Sequence, residues 1–466
     1  MVTASSSGDD SVGAASVFEG AFGDLPAHEF SSIATARDER YRPERLRRKL
    51  GDLMDRESPI IPRLDGFPAA RPGPRYNEQV STGGFRLRYL ARTASGVPRD
   101  LANTLVISKL KPIRPTVLIY NCTWVCDAQC EMCNNWKHGD RKSDMTLAQL
   151  EPAMRDPFWG AVENLNISGG EPTTRNDLPQ MVEMFHRHLP RMRKIGINTT
   201  GLTPHRAIPM LTRIVEFCAE HDLLISARVS LDGIGDVHDQ VRHVKRGFDK
   251  AGQTIAAMQA LAEKHANFQF GIAATIFATN LADAQNILEL ARAKKLDIVF
   301  NMLRFTDAML NNKELQETIG FHEREEEFMR KFFLDRVEEE SLLSGQSFLY
   351  LHYADMIANG YKRTMPCPFQ TQGLLLNPYG DLYYCENSQP IGNILTTPAE
   401  ELYFRADNLA HRDQVKDTVC PTCLSPCQVN VGAMKQFVPY AKFLVRASQV
   451  KRDPARHLET LPAPRP

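Results

Sequence analysis

No stretch of about 18 consecutive apolar residues, the length a helix needs to cross a bilayer, occurs in this chain, so no transmembrane helix is expected. The first residues, MVTASSSGDDSVGAAS, lack both a basic start and an apolar core. They do not read as a secretory signal, and the cytoplasm is the expected compartment. Net charge is also missing, because 56 Lys and Arg balance 56 Asp and Glu. That balance argues against a protein built mainly to grip nucleic-acid backbone. Compositional bias is absent too: with 42% hydrophobic and 24% charged residues, the chain is not wholly disordered, collagen-like or of low complexity. No internal repeat of fixed period is visible. The 466 residues amount to about three domain-equivalents and can bury a large core without disulfides.

Cysteines are few, but their placement is informative. Nine of the ten fall in two groups: Cys122, Cys126, Cys130 and Cys133, then Cys367, Cys385, Cys420, Cys423 and Cys427. Only Cys218 stands apart, on a helical stretch where it reads as a small core residue. Close spacing in a chain of intracellular composition points to metal binding, not to a disulfide framework.

Both ends are polar or Pro-rich and are expected to be mobile. Residues 37–49 hold seven basic and three acidic side chains and read as a solvated helix or arm. Residues 56–78 carry five prolines and read as an extended covering segment. Residues 1–114 are therefore taken as an N-terminal extension whose start is disordered.

From residue 115 short β-rich runs alternate with amphipathic stretches. Strands are expected at 116–121, 162–168, 194–199, 223–230, 268–277 and 297–303. Helices are expected at 145–154 (with Thr146 as N-cap), 178–188, 204–221, 248–265 and 281–294. Strands alternating with helices suggest βαβ units and a parallel sheet. Six strands are too few for a closed eight-stranded barrel, so a partial barrel and an open doubly wound sheet both fit. In either, chemistry sits at the C-terminal ends of the strands. Residues 321–340 form a charged amphipathic helix whose Phe321, Phe328 and Phe332 are a packing stripe.

The first strand runs directly into NCTWVCDAQCEMC, where Cys126, Cys130 and Cys133 form C-x3-C-x2-C. Three thiolates on a four-iron cube leave one iron open, whereas electron-transfer clusters use four cysteines. A structural zinc would need a fourth ligand, and Cys122 supplies one on paper. The next strands end in Ser168-Gly169-Gly170-Glu171-Pro172, Asn198-Thr199-Thr200-Gly201 and Ser230-Leu231-Asp232-Gly233, followed by His238-Asp239 and Arg242. Each motif alone is mostly turn chemistry; four of them at successive strand ends form a joint signal.

On these residues the chain resembles the radical S-adenosylmethionine (SAM) superfamily over about residues 115–310. The resemblance implies an α/β core shaped as a partial (β/α)6 TIM-like barrel. It implies a four-iron cluster on Cys126, Cys130 and Cys133 with one open iron, Cys122 being a packed thiol. It assigns SAM contacts to Ser168, Gly169, Gly170 and Glu171 at the methionine amine, and to Asn198, Ser230, Asp232 and Arg242 at the ribose and carboxylate. Met132 and Met302 would lie near the adenine. An external one-electron reductant such as flavodoxin or ferredoxin would feed the cluster. SAM would then be cleaved to a 5′-deoxyadenosyl radical that takes a hydrogen atom from an unactivated C–H bond.

The second group opens as C-x12-G-x4-C, from Cys367 through Gly380 to Cys385, with GLLLNPYGDLYYC reading as a hairpin that turns at residues 378–381. It closes with Cys420-x2-Cys423-x3-Cys427. C-x2-C pairs also suit a zinc ribbon. Behind a radical SAM core the pattern resembles the C-terminal SPASM/twitch extension, here at 361–440, beyond a helical linker at 311–360 and before a tail at 441–466. Five cysteines are too few for two auxiliary clusters and suit the shortened twitch form, known from a dehydrogenase acting on an aminocyclitol. Its ligands would be Cys367, Cys385, Cys420 and Cys423. Cys427 is then surplus: a structural thiol, an alternative ligand, or a hydrogen-atom or proton donor acting in catalysis. The resemblance implies a sugar- or aminoglycoside-like substrate undergoing dehydrogenation or dehydration. The other expectations are a ribosomally made peptide modified by a maturase and, from a different class, a non-enzymatic iron–sulfur or zinc scaffold. No nucleic acid or membrane partner is expected.

Overall fold

The computed structural model describes residues 83–306, 310–341, 344–363, 365, 367–425 and 437–452. Six strands follow one another with helices between: β1 (Val117–Thr123), β2 (Asn164–Gly169), β3 (Lys194–Thr199), β4 (Leu224–Ser230), β5 (Phe268–Ile276) and β6 (Asp297–Met302). All pair in parallel with their sequence neighbours. Each crossover thus steps the same way along the sheet, and a right-handed connection then puts every helix on the same face. A doubly wound sheet would reverse direction; this one curls into an incomplete barrel.

The expected helices appear as Leu147–Met154, Leu178–His188, Pro204–Glu220, Gly247–Ala262 and Ala284–Ala293. Thr146 does cap the first. Its hydroxyl accepts the Gln149 N–H while the Gln149 side chain accepts the Thr146 N–H at 3.0 Å, a reciprocal capping box.

Three short strands extend the sheet beyond β1, to give the order β6-β5-β4-β3-β2-β1-β7-β8-β9. β7 (Gly373–Leu376) runs parallel to β1, from Val117 opposite Gly373 to Tyr120 opposite Leu376. β8 (Asp381–Tyr383) returns antiparallel, and β9 (Gly392–Asn393) pairs with it. The turn between β7 and β8 is the hairpin read from the sequence. Asn377 Oδ1 accepts the N–H groups of Tyr379 and Asp381, each at 2.9 Å, and Gly380 supplies the positive φ of +93°.

The barrel does not close because each end of the sheet has other company. The outer edge of β6 is covered by the helix Gly345–Ala358. Its buried Tyr350 hydroxyl accepts the Phe300 N–H at 3.1 Å and reaches the Ile298 carbonyl at 3.4 Å, standing in for a missing strand. The helix Glu323–Glu339 packs beside it, and Phe332 meets Phe300 edge-to-face with ring centroids 4.9 Å apart. Phe332 also stacks on Phe328, with centroids 6.5 Å apart, so these two pack as expected, whereas Phe321 lies before the helix begins.

Residues 83–102, within the N-terminal extension, form a 20-residue helix for which no expectation was drawn from the sequence. Tertiary contacts hold it despite Pro98. Arg88 pairs with Asp222 at 2.7 Å, and Arg99 pairs with the buried Glu163. Glu163 precedes β2 and Asp222 precedes β4, so the helix runs along the N-terminal rim of the barrel, away from the strand ends that carry the motifs. Among the described residues no helix is long and apolar enough to cross a membrane.

The two faces of the strands differ. In β2 to β4 the residues Leu165, Ile167, Ile195, Ile197, Ala227 and Val229 are buried against the helices. The alternate positions Asn166, Ser168, Asn198, Arg228 and Ser230 are polar and only partly covered or exposed. A closed barrel fills its interior with branched apolar side chains; this one keeps a polar interior that solvent reaches.

Candidate active site

The loop after β1 is tied down on three sides. Gly170 N–H donates to the Thr123 carbonyl at 2.7 Å and Glu171 N–H to the Val125 carbonyl at 2.9 Å. The Asp127 carboxylate accepts from the hydroxyls of Thr200 at 2.9 Å and Thr203 at 2.6 Å, just past β3. Gln129 and Glu131 N–H groups donate to the carbonyls of Arg242 and Val241 at 3.3 and 2.9 Å, at the end of the helix Asp236–Arg242.

Cys126, Cys130 and Cys133 are thereby gathered at the C-terminal rim. Burial pushes all three thiols up, Cys133 to about 11, and the Cys130 charge adds to the rise at both Cys126 and Cys133. The Arg242 guanidinium donates to Cys130 Sγ at 3.4 Å and opposes the effect of burial there. Three thiols, with Cys130 between the other two and beside a fixed cation, form a donor set that fits a cluster whose irons each take one thiolate. Among the described residues no three Cys, His, Asp or Glu side chains converge tightly enough to hold one metal ion.

Gly169, which ends β2, and Gly170 lie directly against the cysteine loop. A Cβ on Gly169, whose φ is +127°, would lie 2.2 Å from the Thr123 carbonyl oxygen, and one on Gly170 would lie 2.5 Å from that of Val125. The space they leave is filled by the cysteine loop. Glu171 beside them is fully buried. Its Oε1 accepts from Thr173 N–H at 3.0 Å and from the hydroxyls of Thr173 and Thr199 at 2.6 and 2.8 Å, while Oε2 accepts only Thr200 N–H, at 2.6 Å. Burial and the Asp127 charge hold this carboxyl above the usual range.

Arg242 and Asp232, both expected at the SAM carboxylate, are ion-paired with each other in the structure. Asp232 Oδ1 also accepts Thr275 N–H at 2.7 Å, and the Asp232 N–H donates to His238 Nδ1 at 3.1 Å. Burial, reinforced by Arg242, pushes the His238 pKa down to about 3, so the imidazole is neutral. Ser168, Asn198 and Ser230 line the polar interior. Met132 and Met302 are buried, and the Met132 carbonyl accepts from Asn312 Nδ2 at 2.9 Å. Cys122 is fully buried with its thiol pushed up to about 12, and Cys218 is equally buried on its helix; both are packing residues.

In the second group, Cys367, Cys385, Cys420 and Cys423 line one cavity. They come from three places: the turn before β7, the end of β8, and the turn after the helix Ala406–Thr418. Asn387 Nδ2 and Ser425 N–H donate to Cys423 Sγ at 3.3 and 3.4 Å. Burial raises the Cys367 thiol to about 11 and the Cys385 and Cys423 thiols also rise. Four thiols on the wall of one pocket form a donor set that fits a four-iron group. Cys427 lies outside the described residues.

Three residues of this region were not flagged by any motif. Arg304, just past β6, pairs with the buried Glu386 at 2.8 Å, next to Cys385. Burial pushes the Cys133 and Cys423 thiols up, and the Arg304 charge opposes it at both, so the two cysteine groups flank one guanidinium. Arg363 lines the cavity itself. The signals available were position after a strand end for Arg304 and adjacency to a cysteine for Glu386; Arg363 had none.

Comparison with known proteins follows this geometry. Residues 120–302 match the family model described as the Radical SAM superfamily. Over 182 residues the chain is 27% identical to pre-heme d1 synthase of Dinoroseobacter shibae, covering 39% of this chain and 41% of that protein. Over 274 residues it is 25% identical to the mycofactocin maturase MftC of Mycobacterium tuberculosis, covering 58% of this chain and 64% of that one. The chain thus spans about two fifths of the length of the first curated relatives it matches. Among solved structures it is similar to SuiB of Streptococcus suis bound to S-adenosylmethionine, with a TM-score of 0.46 and 15% identity, covering 75% of this chain and 80% of that chain. The incomplete parallel barrel, the three thiols at its C-terminal rim and the family match identify residues 120–302 as a radical SAM superfamily domain.

Proposed function

We propose that this chain is an enzyme that uses SAM to take a hydrogen atom from a substrate lying between its two cysteine groups. What carries the reading is the pair of thiol sets with Arg304 between them. Cys126, Cys130 and Cys133 would hold a four-iron cluster with one open iron, and Cys367, Cys385, Cys420 and Cys423 would hold a second cluster. When bound, the first cluster and SAM supply a 5′-deoxyadenosyl radical, the second cluster an electron acceptor. Glu171 Oε2 would take the methionine ammonium with Ser168 beside it, while Asn198 and Ser230 would present polar groups to the ribose and carboxylate. Gly169 and Gly170 hold the cysteine loop in place. Arg242 and Asp232 fix Cys130 from the far side and would orient the SAM carboxylate. Met132 and Met302 would flank the adenine. The chain's remaining task is to exclude water from the reacting atoms.

The reaction balances as a two-electron oxidation. The substrate gives one hydrogen atom to the radical, then one electron to the second site and one proton to solvent. An external one-electron donor such as flavodoxin or ferredoxin would feed the first site. We favour a ribosomally made peptide as substrate: the likeness to the mycofactocin maturase covers 274 residues and so runs beyond the family's 120–302 core. A sugar- or aminoglycoside-like substrate is the second reading, favoured by the short cysteine set of the C-terminal module. Anaerobic reconstitution followed by reductant and SAM tests the chemistry by release of 5′-deoxyadenosine. Deuterium transfer into that product, from labelled candidate peptides or from aminocyclitols, tests the substrate. No 5′-deoxyadenosine from a chain loaded with about eight irons, the content of two four-iron cubes, would refute the reading.

A further inference from the structure

Arg363 follows the helix Gly345–Ala358 and belongs to no cysteine motif. Its backbone N–H donates to the Pro421 carbonyl at 2.7 Å. Its guanidinium donates through Nε to the Met365 carbonyl at 2.8 Å, and through Nη1 to the carbonyls of Cys423 and Ser425 at 2.7 and 3.1 Å. One side chain therefore ties the segment entering Cys367 to the loop that carries Cys420 and Cys423. Its Nη2 is buried and has no hydrogen-bond partner among the described residues. A guanidinium donor left unmatched inside a protein is costly unless something absent from the chain satisfies it. Arg363 lines the same cavity as the four thiols. Of the other charged residues around that cavity, Lys416 pairs with Asp413 at 2.7 Å and Glu386 pairs with Arg304. Arg412 is stacked on the rings of Tyr384 and Tyr403, and its Nε, which is also buried, has no hydrogen-bond partner among the described residues.

We infer that Arg363 is the positioning residue that sets the reduction potential of the iron–sulfur group held by Cys367, Cys385, Cys420 and Cys423, donating from Nη2 to a thiolate or sulfide of that group. The inference rests on the second-cluster reading above. Reduction adds one electron and no proton to the group, so its negative charge grows by one. A fixed cation with a free donor stabilises the reduced form more than the oxidised form and raises the potential. This suits a group that must accept an electron from a substrate radical.

The test is a potentiometric titration followed by electron paramagnetic resonance on the full chain, anaerobically reconstituted, with dithionite as the electron source. Arg363→Gln should keep about eight irons per chain and lose about tenfold in the equilibrium constant for reducing the second cluster. For one electron that is a fall of about 59 mV. The cluster on Cys126, Cys130 and Cys133 should not move. Arg363→Lys, which keeps the charge and loses the fork, should recover part of the shift. An unchanged potential with full iron content overturns the inference. So does loss of about four irons in both variants, because Arg363 would then be only a structural clamp. If the unsubstituted chain itself binds about four irons, the two-cluster reading fails first, and that outcome is distinguishable from the others.

Discussion

Replacing Gly169 with Ala separates two explanations for the glycines after β2. If they exist to let backbone approach SAM, Ala should harm SAM binding and leave the empty protein as stable as before. The structure predicts the opposite order of effects. Ala at 169 must adopt a φ of +127°, a strain of about 1–3 kcal/mol. Its Cβ would also stand 2.2 Å from the Thr123 carbonyl oxygen, which is backbone and cannot rotate aside. Relieving that overlap means separating the turn from the cysteine loop. The hydrogen bonds of Gly170 and Glu171 to Thr123 and Val125 would go with it, at about 1 kcal/mol each, on top of about 1–3 kcal/mol of overpacking. Gly235 provides the internal reference, since its φ is also positive, at +55°, but a Cβ there meets nothing within 4 Å. Gly235→Ala thus carries the backbone strain alone. Urea unfolding of the two variants under reducing conditions, without iron, should find Gly169→Ala less stable than Gly235→Ala by about 2–5 kcal/mol. Gly169→Ala should also take up fewer irons at the first site. Equal stability within about 1 kcal/mol would refute the steric argument. Unchanged stability with SAM binding lost would restore the ligand-approach explanation.

Four further outcomes are expected. Ala at Cys126, Cys130 or Cys133 should abolish 5′-deoxyadenosine release and lower the iron content from about eight to about four, whereas Cys385→Ala should lower the iron content similarly and still cleave SAM; metal analysis and product chromatography check both. Cys122→Ser and Cys218→Ser should leave the iron content unchanged, and each should lose about 1–3 kcal/mol in unfolding experiments because a hydroxyl is buried among apolar neighbours. Tyr350→Phe should cost about 1–3 kcal/mol, since the edge of β6 loses the hydroxyl that its Phe300 N–H and Ile298 carbonyl share. His238 has a folded pKa near 3, below its unfolded value, so the unfolded chain binds the extra proton first as pH falls. Its contribution is complete above about pH 6.5 and is lost as pH drops toward 3; between pH 6.5 and 5 the loss is about 2 kcal/mol, and His238→Gln should flatten that part of the stability profile.

What the sequence made legible was whatever depends on short-range pattern. The period-2 apolar runs of β1 to β6, the capping box at Thr146 and the turn at Asn377 to Gly380 are local, and each element formed where its own residues favour it. The cysteine spacing was legible for the same reason: three thiols within eight residues can face one group whatever the rest of the chain does. Long-range choices were not written locally. Nothing in GLLL says that β7 will lie beside β1, and nothing in GQSFLYLHYADMIA says that Tyr350 will replace a strand at the edge of β6. The helix 83–102 was hidden because Pro98 and two leading glycines argue against it; the arginine pairs to Asp222 and Glu163, 64 to 134 residues away, hold it in place.

The same distinction holds within the site. A motif gives a residue's type and its neighbours in sequence, but a charged side chain is defined by its partner in space. Arg242 and Asp232 each look available to a ligand until the fold pairs them with each other and turns the guanidinium toward Cys130. Glu386 looks like an ordinary residue after a cysteine until Arg304, 82 positions earlier, reaches it at 2.8 Å. That contact has a topological meaning. β6 ends one side of the sheet and β8 lies next to the other end, with β5, β4, β3, β2, β1 and β7 between them. Residues immediately after these two strands can touch only if the sheet curls nearly round on itself. The Arg304–Glu386 pair thus bridges the gap that the absent closing strands leave, and it does so between the two cysteine groups. On the proposed function, the opening of the barrel would also be the place where substrate lies: the strand ends that fail to pair would leave the space in which a hydrogen atom is taken at one site and an electron accepted at the other.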